Sequence, residues 1–158
     1  LYIEKARQLS TGLAEFTKAN DELKKAVEIY QAPVTLNAYG YGLYLAGDHP
    51  QAVRTLRDAI EIDPNYGPAQ INLGMALAAR LNFEDAVLAL EKGVQLVGAD
   101  KARLENVTVL AQSYLIQETP DCARALFWFQ EALKKDETDP VTLSGIQRAQ
   151  SCVAEGGN

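Results

Sequence analysis

Few side chains in this 158-residue chain could carry acid–base, nucleophilic or metal chemistry. There is one histidine, His49, and there are two cysteines, Cys122 and Cys152. Most metal sites and histidine-based triads therefore have few residues to draw on in this chain. The adjacent acidic pairs at 84–85 and 136–137 fall at predicted helix ends, where carboxylates interact with helix dipoles or stay solvated. Phosphate-loop, nucleophile-elbow and CxxC motifs do not occur. We therefore predict no enzyme activity, no metal site and no cofactor.

The charge balance argues against two classes of partner. The chain has 21 acidic and 15 basic residues, a formal net charge of -6. Nucleic-acid phosphates and anionic lipids repel such a surface, so we expect neither as a partner. No apolar run reaches the ~20 residues that cross a bilayer. Residues 1–30 mix acids and bases and show no signal-peptide pattern. We expect a soluble protein, cytoplasmic or periplasmic.

The two cysteines stand at matching distances from a predicted turn. Residue 137 is midway between them, inside the turn expected at 136–139. Two antiparallel helices that fold back at this turn bring Cys122 and Cys152 level with each other. An oxidising compartment then permits a disulfide between them. The alternative is a pair of small buried thiols.

An internal repeat organises the chain. Residues 33–66 align with residues 67–100 at a shift of 34 positions. Small and aliphatic residues coincide in this alignment: Gly40 with Gly74, Leu43 with Leu77, Ala52 with Ala86, Leu56 with Leu90, and Ile60 with Val94. The same template recurs at 101–139 with a longer inner turn, and in degenerate form at 1–32.

Each copy contains two helical stretches separated by a short turn. In the 33–66 copy, Gly47-Asp48 ends the first stretch and the run at 63–65 ends the second. Alternating strand patterns are nearly absent. Residues 140–155 add a helix with few apolar residues, as expected of a capping helix at the end of an array. The pattern predicts a single all-α domain over 1–158, with about nine helices packed as antiparallel pairs.

This arrangement resembles the tetratricopeptide repeat (TPR) family. The motifs that carry the resemblance are L-x3-G in Leu36 and Gly40, A-x3-L in Ala52 and Leu56, the Gly47-Asp48 turn and the closing run 59–65. Departures are Leu36 where the family often has tryptophan and Gly98 in place of a closing proline. The resemblance implies a right-handed solenoid whose first helices line a concave surface that binds a partner protein.

The resemblance also implies which residues face the concave groove. They lie at i, i+4 and i+7 on each first helix and carry no charge: Asn37, Tyr41, Tyr44, Ile71, Met75, Ala78, Thr108, Gln112 and Leu115. The stretches 32–47, 64–79 and 106–117 contain no charged residue at all. We interpret them as an uncharged groove for an extended or helical, apolar or neutral peptide. Such a module would be an adaptor or scaffold, similar to the small secretion chaperones of this family. Burial of the first helices would explain the missing charge without a ligand.

Residues 2–30 contain a second pattern. Their apolar positions alternate spacings of four and three, with Asn20 at one core position, as in a coiled-coil heptad: Tyr2, Ala6, Leu9, Leu13, Phe16, Leu23, Val27 and Tyr30. The cap signal Asn20-Asp21 favours instead a helical hairpin, the degenerate repeat of 1–32. We expect the hairpin. The alternative function is a structural segment of a larger solenoid or homo-oligomer, assembled through its N-terminal helix or its ends.

Overall fold

The computed structural model describes the backbone of residues 2–156 and the side chains of residue 15 and residues 17–156. In this part of the chain all regular secondary structure is α-helical, which confirms the predicted fold class. There are eight helices here: α1 (Tyr2–Ile29), α2 (Pro33–Leu45), α3 (His49–Ile62), α4 (Gly67–Ala79), α5 (Phe83–Val97), α6 (Leu104–Ile116), α7 (Cys122–Leu133) and α8 (Pro140–Ala154).

The helices form a solenoid. Each helix packs against the next one along the chain, and α2, α4 and α6 also contact one another in order. We call these three the first helices and α3, α5 and α7 the second helices of the three pairs. Short connections join consecutive helices, so neighbours are antiparallel. The first helices therefore share one face of the solenoid.

Side-chain caps fix where several helices begin. A carboxylate or amide oxygen accepts a backbone N–H of the first turn in all three second helices and in α8, which satisfies a donor that has no partner within the helix. The capping residues are Asp48, Asn82, Asp121 and Asp139. These caps set the turns between the helices of each pair, and hence the alignment of their apolar faces.

Small residues let the two helices of each pair approach closely. A Cβ added at Gly40 would lie 2.6 Å from Cγ of Leu56, and one added at Gly74 would overlap Leu90. Both leucines are fully buried. The repeated glycine and leucine positions are thus the contact points of the α2/α3 and α4/α5 pairs.

A polar network joins the last two pairs. The hydroxyl of the buried Tyr114 on α6 donates to the Glu91 carboxylate on α5 over 3.0 Å. The Arg124 guanidinium on α7 donates to the same hydroxyl over 3.0 Å and to Glu91 over 3.3 Å. Burial raises the pKa of the Tyr114 phenol above its usual value of 10.0, and the nearby Glu91 carboxylate adds to the rise while Arg124 opposes it.

The N-terminal region differs from the expected hairpin. Residues 2–29 form one continuous helix, so there is one helix where two were expected. The reason lies at Asn20, whose Nδ2 donates to the Gly42 carbonyl of α2 over 3.2 Å instead of capping a second helix. Leu23 and Val27 then pack against the core of the first pairs. The side chains of the first five heptad positions lie outside the described residues.

The last helix, α8, covers α7. A Cβ at Gly145 would overlap the ring of Phe129, so the glycine allows close contact between the two helices. Thr142 and Ala149 are fully buried on the same face. A disulfide links Cys122, at the start of α7, to Cys152, near the end of α8, with 5.8 Å between the Cα atoms.

Candidate functional site

The nine residues expected in the groove all lie on the three first helices, but they differ in exposure. Five are partly exposed: Asn37, Tyr41, Tyr44, Gln112 and Leu115. The other four are buried, with exposed fractions of 6% for Ile71, 5% for Met75, 9% for Ala78 and 6% for Thr108. We call the five partly exposed residues the groove surface. Of the buried four, Ile71 also lines a surface pocket, whereas Met75, Ala78 and Thr108 present almost no surface.

Burial of α4 accounts for three of these four residues, Ile71, Met75 and Ala78. This helix contacts α2, α3, α5 and α6, and ten of its 13 residues are buried. Met75 packs in one core cluster with Leu110 and Tyr114 of α6. In the central repeat, the missing charge therefore reflects core packing, which is the alternative that the sequence left open.

Three aromatic side chains meet at the α2 end of the groove surface. The rings of Tyr41 and Tyr44 are stacked at 6.1 Å, and the His49 ring lies 5.5 Å from that of Tyr44. Burial raises the pKa of Tyr44, and the nearby Glu105 carboxylate adds to the rise. His49 packs as an aromatic residue at the start of α3, and its buried Nδ1 has no hydrogen-bond partner. These rings offer rigid contact area with polar tips.

The connection between α5 and α6 brings a cation to the groove surface. The Arg103 guanidinium carbon lies 5.8 Å from the centre of the Tyr41 ring, and a hydrogen bond between the two side chains raises the pKa of the arginine. Glu105 lies 3.9 Å from the same guanidinium. No sequence pattern indicates Arg103 as a site residue, because it lies before the charge-free first helix and only the tertiary fold places it beside α2.

A pocket of about 280 Å³ opens beside Tyr41. Its wall includes Ile71 and Asn72 of α4, Val97 of α5 and Asn106 of α6. The Asn72 amide donates to Oδ1 of Asn37 on α2 over 2.8 Å, which ties two first helices together. We call this cavity the Tyr41 pocket.

The acidic pairs have structural roles. The Glu84 carboxylate accepts the backbone N–H of Glu118 over 2.8 Å, and this hydrogen bond holds the pKa of Glu84 below its usual value. Asp136 accepts from the backbone and hydroxyl of Thr138, which lowers its pKa as well. Among the described residues, no three His, Cys, Asp or Glu side chains gather closely enough to hold a metal ion. Across the same residues, none of the helices has the length and apolarity to cross a bilayer.

Comparison with known proteins agrees with the repeat pattern. Residues 43–108 match a family model described as a tetratricopeptide repeat. Residues 43–108 of this chain are therefore identified as tetratricopeptide repeats. Such repeats support a protein-interaction or scaffold role and are in general not catalytic.

Curated relatives carry similar TPR segments within longer proteins. The small glutamine-rich tetratricopeptide repeat-containing protein 2 of Mycosarcoma maydis is 30% identical over 83 residues, 52% of this chain and 24% of that protein. A probable UDP-N-acetylglucosamine--peptide N-acetylglucosaminyltransferase SPINDLY of Hordeum vulgare is 29% identical over 85 residues, 51% of this chain and 9% of that protein. The TPR chain thus spans less than a quarter of the length of these relatives.

Solved structures share the TPR solenoid. The APC/C hetero-tetramer Cut9-Hcn1 superposes with a TM-score of 0.71 at 20% identity, covering 89% of this chain and 28% of that one. MamA 41-end from Desulfovibrio magneticus RS-1 gives 0.69 at 19% identity, covering 94% and 87%. At these identities the likeness establishes the fold.

Proposed function

We propose that this TPR chain is an adaptor or scaffold that binds a peptide segment of a partner protein along α2, α4 and α6. The observation that carries the proposal is the cluster of partly exposed aromatic side chains, Tyr41 and Tyr44, at one end of the groove surface. Tyrosine is enriched where proteins bind one another because it buries a large ring and keeps a polar tip. A secretion-chaperone-like role is the narrower form of this proposal.

The groove surface suits an apolar or neutral peptide. Gln112 and Leu115 of α6 are half-buried and offer one amide and one apolar side chain. Asn37 already accepts a hydrogen bond from Asn72, so it is held in place within the fold. Arg103 is paired with Glu105, and this pairing reduces the electrostatic attraction of Arg103 for an acidic ligand.

Substitution of the groove surface tests this function. Wild type and a Tyr44→Ala, Gln112→Ala variant would capture proteins from a host lysate, with the captured proteins identified and the bound segment mapped to a synthetic peptide. We expect the variant to bind that peptide at least about tenfold more weakly, as removal of an interface tyrosine commonly does.

A matched control distinguishes the groove from the opposite face. Leu88 on the second helix α5 is 68% exposed, so Leu88→Ala removes a similar apolar group from the other side of the pair. This variant should bind like wild type. All three proteins should first show the same helical circular dichroism. Equal peptide affinity in the groove variant and in wild type would contradict the proposed function.

The second candidate function is self-assembly through α1. It is supported by the continuous helix over Tyr2–Ile29, which contains every heptad position except Tyr30. Light scattering of the whole chain at increasing concentration tests it, with a Leu9→Glu, Leu13→Glu variant for comparison. A dimer that forms in wild type and is lost in the variant supports this candidate. A monomer at every concentration contradicts it.

A further inference from the structure

The Tyr41 pocket contains a hydrogen-bonding group that the fold leaves unused. Asn106 on α6 is 4% exposed, forms part of the pocket wall, and its Oδ1 has no donor. Buried amide oxygens are nearly always paired, because an unpaired one loses its water without replacement. The χ2 torsion of asparagine is soft, so the side-chain amide can rotate to bring Oδ1 to the pocket. An occupant that donates a hydrogen bond would satisfy it.

The remaining wall is mainly apolar and aromatic. Ile71, Val97 and the buried Ala102 provide aliphatic contact, and the Tyr41 ring forms one side. At about 280 Å³, the cavity lies at the lower limit for small-molecule sites and has room for a single large side chain. The occupant is therefore a side chain with a large apolar body.

The charges at the rim of the pocket limit which side chains of a partner can bind there. Lys101 and Arg103 are both cationic, so a lysine or arginine of a partner is repelled. Glu105 lies 3.9 Å from the Arg103 guanidinium and offsets its attraction for a carboxylate. The same guanidinium already lies over the Tyr41 ring, and a second aromatic ring would meet it equally well.

We propose that the Tyr41 pocket receives one aromatic side chain with a hydrogen-bond donor, the indole of a tryptophan or the phenol of a tyrosine in the partner. Its N–H or O–H donates to Oδ1 of Asn106, and its ring packs against Tyr41 and Ile71. Buried tryptophan and tyrosine side chains need such an acceptor for their polar atom. This inference rests on the proposed peptide-binding function and names the anchor that the peptide would supply.

Two small probes that differ at the indole nitrogen, N–H in one and N–CH3 in the other, test the inference. N-acetyl-tryptophanamide and its indole-N-methyl analogue would be titrated into the whole 15N-labelled chain, with backbone amide shifts as the readout. We expect saturable shifts at Ala102 and Asn106. The probe with the indole N–H should bind about fivefold more tightly, the usual effect of one hydrogen bond.

Two variants test whether Oδ1 of Asn106 accepts the hydrogen bond from the indole N–H of the probe. Asn106→Leu should bind both probes equally, and its melting temperature should rise by a few degrees because an unpaired buried amide has been removed. Asn65→Leu, at an exposed asparagine outside the pocket, should keep the preference for the N–H probe. Equal binding of the probes by wild type, a preference that survives Asn106→Leu, or shifts away from the pocket would overturn the inference.

The groove experiment is independent of this one. Its variant changes Tyr44 and Gln112, neither of which lines the Tyr41 pocket. If that variant loses the partner peptide while the probes fail to bind, the pocket inference fails alone. If the groove variant keeps the peptide, the proposed function fails instead.

Discussion

At the scale of single residues, polar groups in this protein act through partners on other helices. Tyr114 connects α6 to Glu91 on α5 and to Arg124 on α7. Asn20 connects α1 to the backbone of α2. Asn106 is the contrasting case, because its buried oxygen has no partner. The first two stabilise the packing of repeats, whereas the third reduces stability unless something binds there.

The Tyr114 phenol makes the stability of the protein depend on alkaline pH. Its pKa in the folded chain lies above 10.0, so the unfolded chain loses the proton first as pH rises. The stabilisation is therefore complete below about pH 10 and is lost as pH rises through the folded pKa. Tyr114→Phe should cost about 1 kcal/mol near neutral pH and should make the alkaline loss shallower.

Urea unfolding at about pH 8 and about pH 11 measures both effects. Tyr30→Phe serves as the control, because Tyr30 is exposed at the end of α1. The same alkaline loss in Tyr114→Phe and in wild type would show that this phenol does not contribute to it.

At the scale of helices, the disulfide fixes α8 to α7. The bond closes a loop with a sequence separation of 30, and the chain-entropy model gives such a loop about 3–4 kcal/mol. Cys152→Ser should therefore lower the unfolding free energy of the oxidised protein by about this amount. Faster amide exchange should be confined mainly to α8, because few other helices contact it.

Hydrogen exchange by residue, together with urea unfolding, checks the disulfide prediction. Ser151→Ala changes an exposed neighbour on the same helix and should leave both measurements unchanged. Unaltered stability in Cys152→Ser would mean that packing of Phe129 against Gly145 alone holds the last helix.

The sequence pattern predicted the helices and their pairing because packing constraints recur at fixed spacing. Gly40 with Leu56 and Gly74 with Leu90 are such pairs, and each depends on residues within one copy. The failure at α1 has the opposite cause. Asn20-Asp21 has the local form of a helix cap, but a contact with Gly42 in the next helix determines what Asn20 does. Local sequence does not contain that contact.

The candidate groove was predictable only in part for the same reason. The i, i+4, i+7 rule selected Tyr41 and Tyr44 on α2, and both side chains stay partly exposed. It placed Met75 on the equivalent face of α4, but the neighbouring helix α6 covers that side chain. Arg103 and Asn106 became candidates only when the turn before α6 was seen beside α2.

At the scale of the whole molecule, α4 is the centre of the array. It contacts α2, α3, α5 and α6, and Met75 lies in the core that joins it to α6. Met75→Glu should therefore unfold the protein, with a loss of about 4 kcal/mol or more, because a carboxylate would be buried without a partner. The melting curve followed by circular dichroism measures this.

Two controls distinguish the effect of burying a charge from the effects of adding a charge to α4 or of replacing Met75. Ala79→Glu puts the same charge at an exposed position on α4 and should leave the melting curve nearly unchanged. Met75→Leu conserves volume and should cost less than about 1.5 kcal/mol. A stable Met75→Glu protein would place Met75 on the surface and restore it to the groove.

The disulfide at one end of the array determines the order in which the helices separate. Stability in such arrays is a sum over neighbouring contacts, so separation can start at either end and move along the chain. Within the described residues, α1 is held to the array through α2 alone, whereas α8 is joined covalently to α7. Unravelling therefore starts at α1 and proceeds towards α8. The Tyr41 pocket, formed by α2, α4 and α6, is lost early as the helices separate in this order. An occupant that contacts these helices together would therefore also stabilise the array against unravelling.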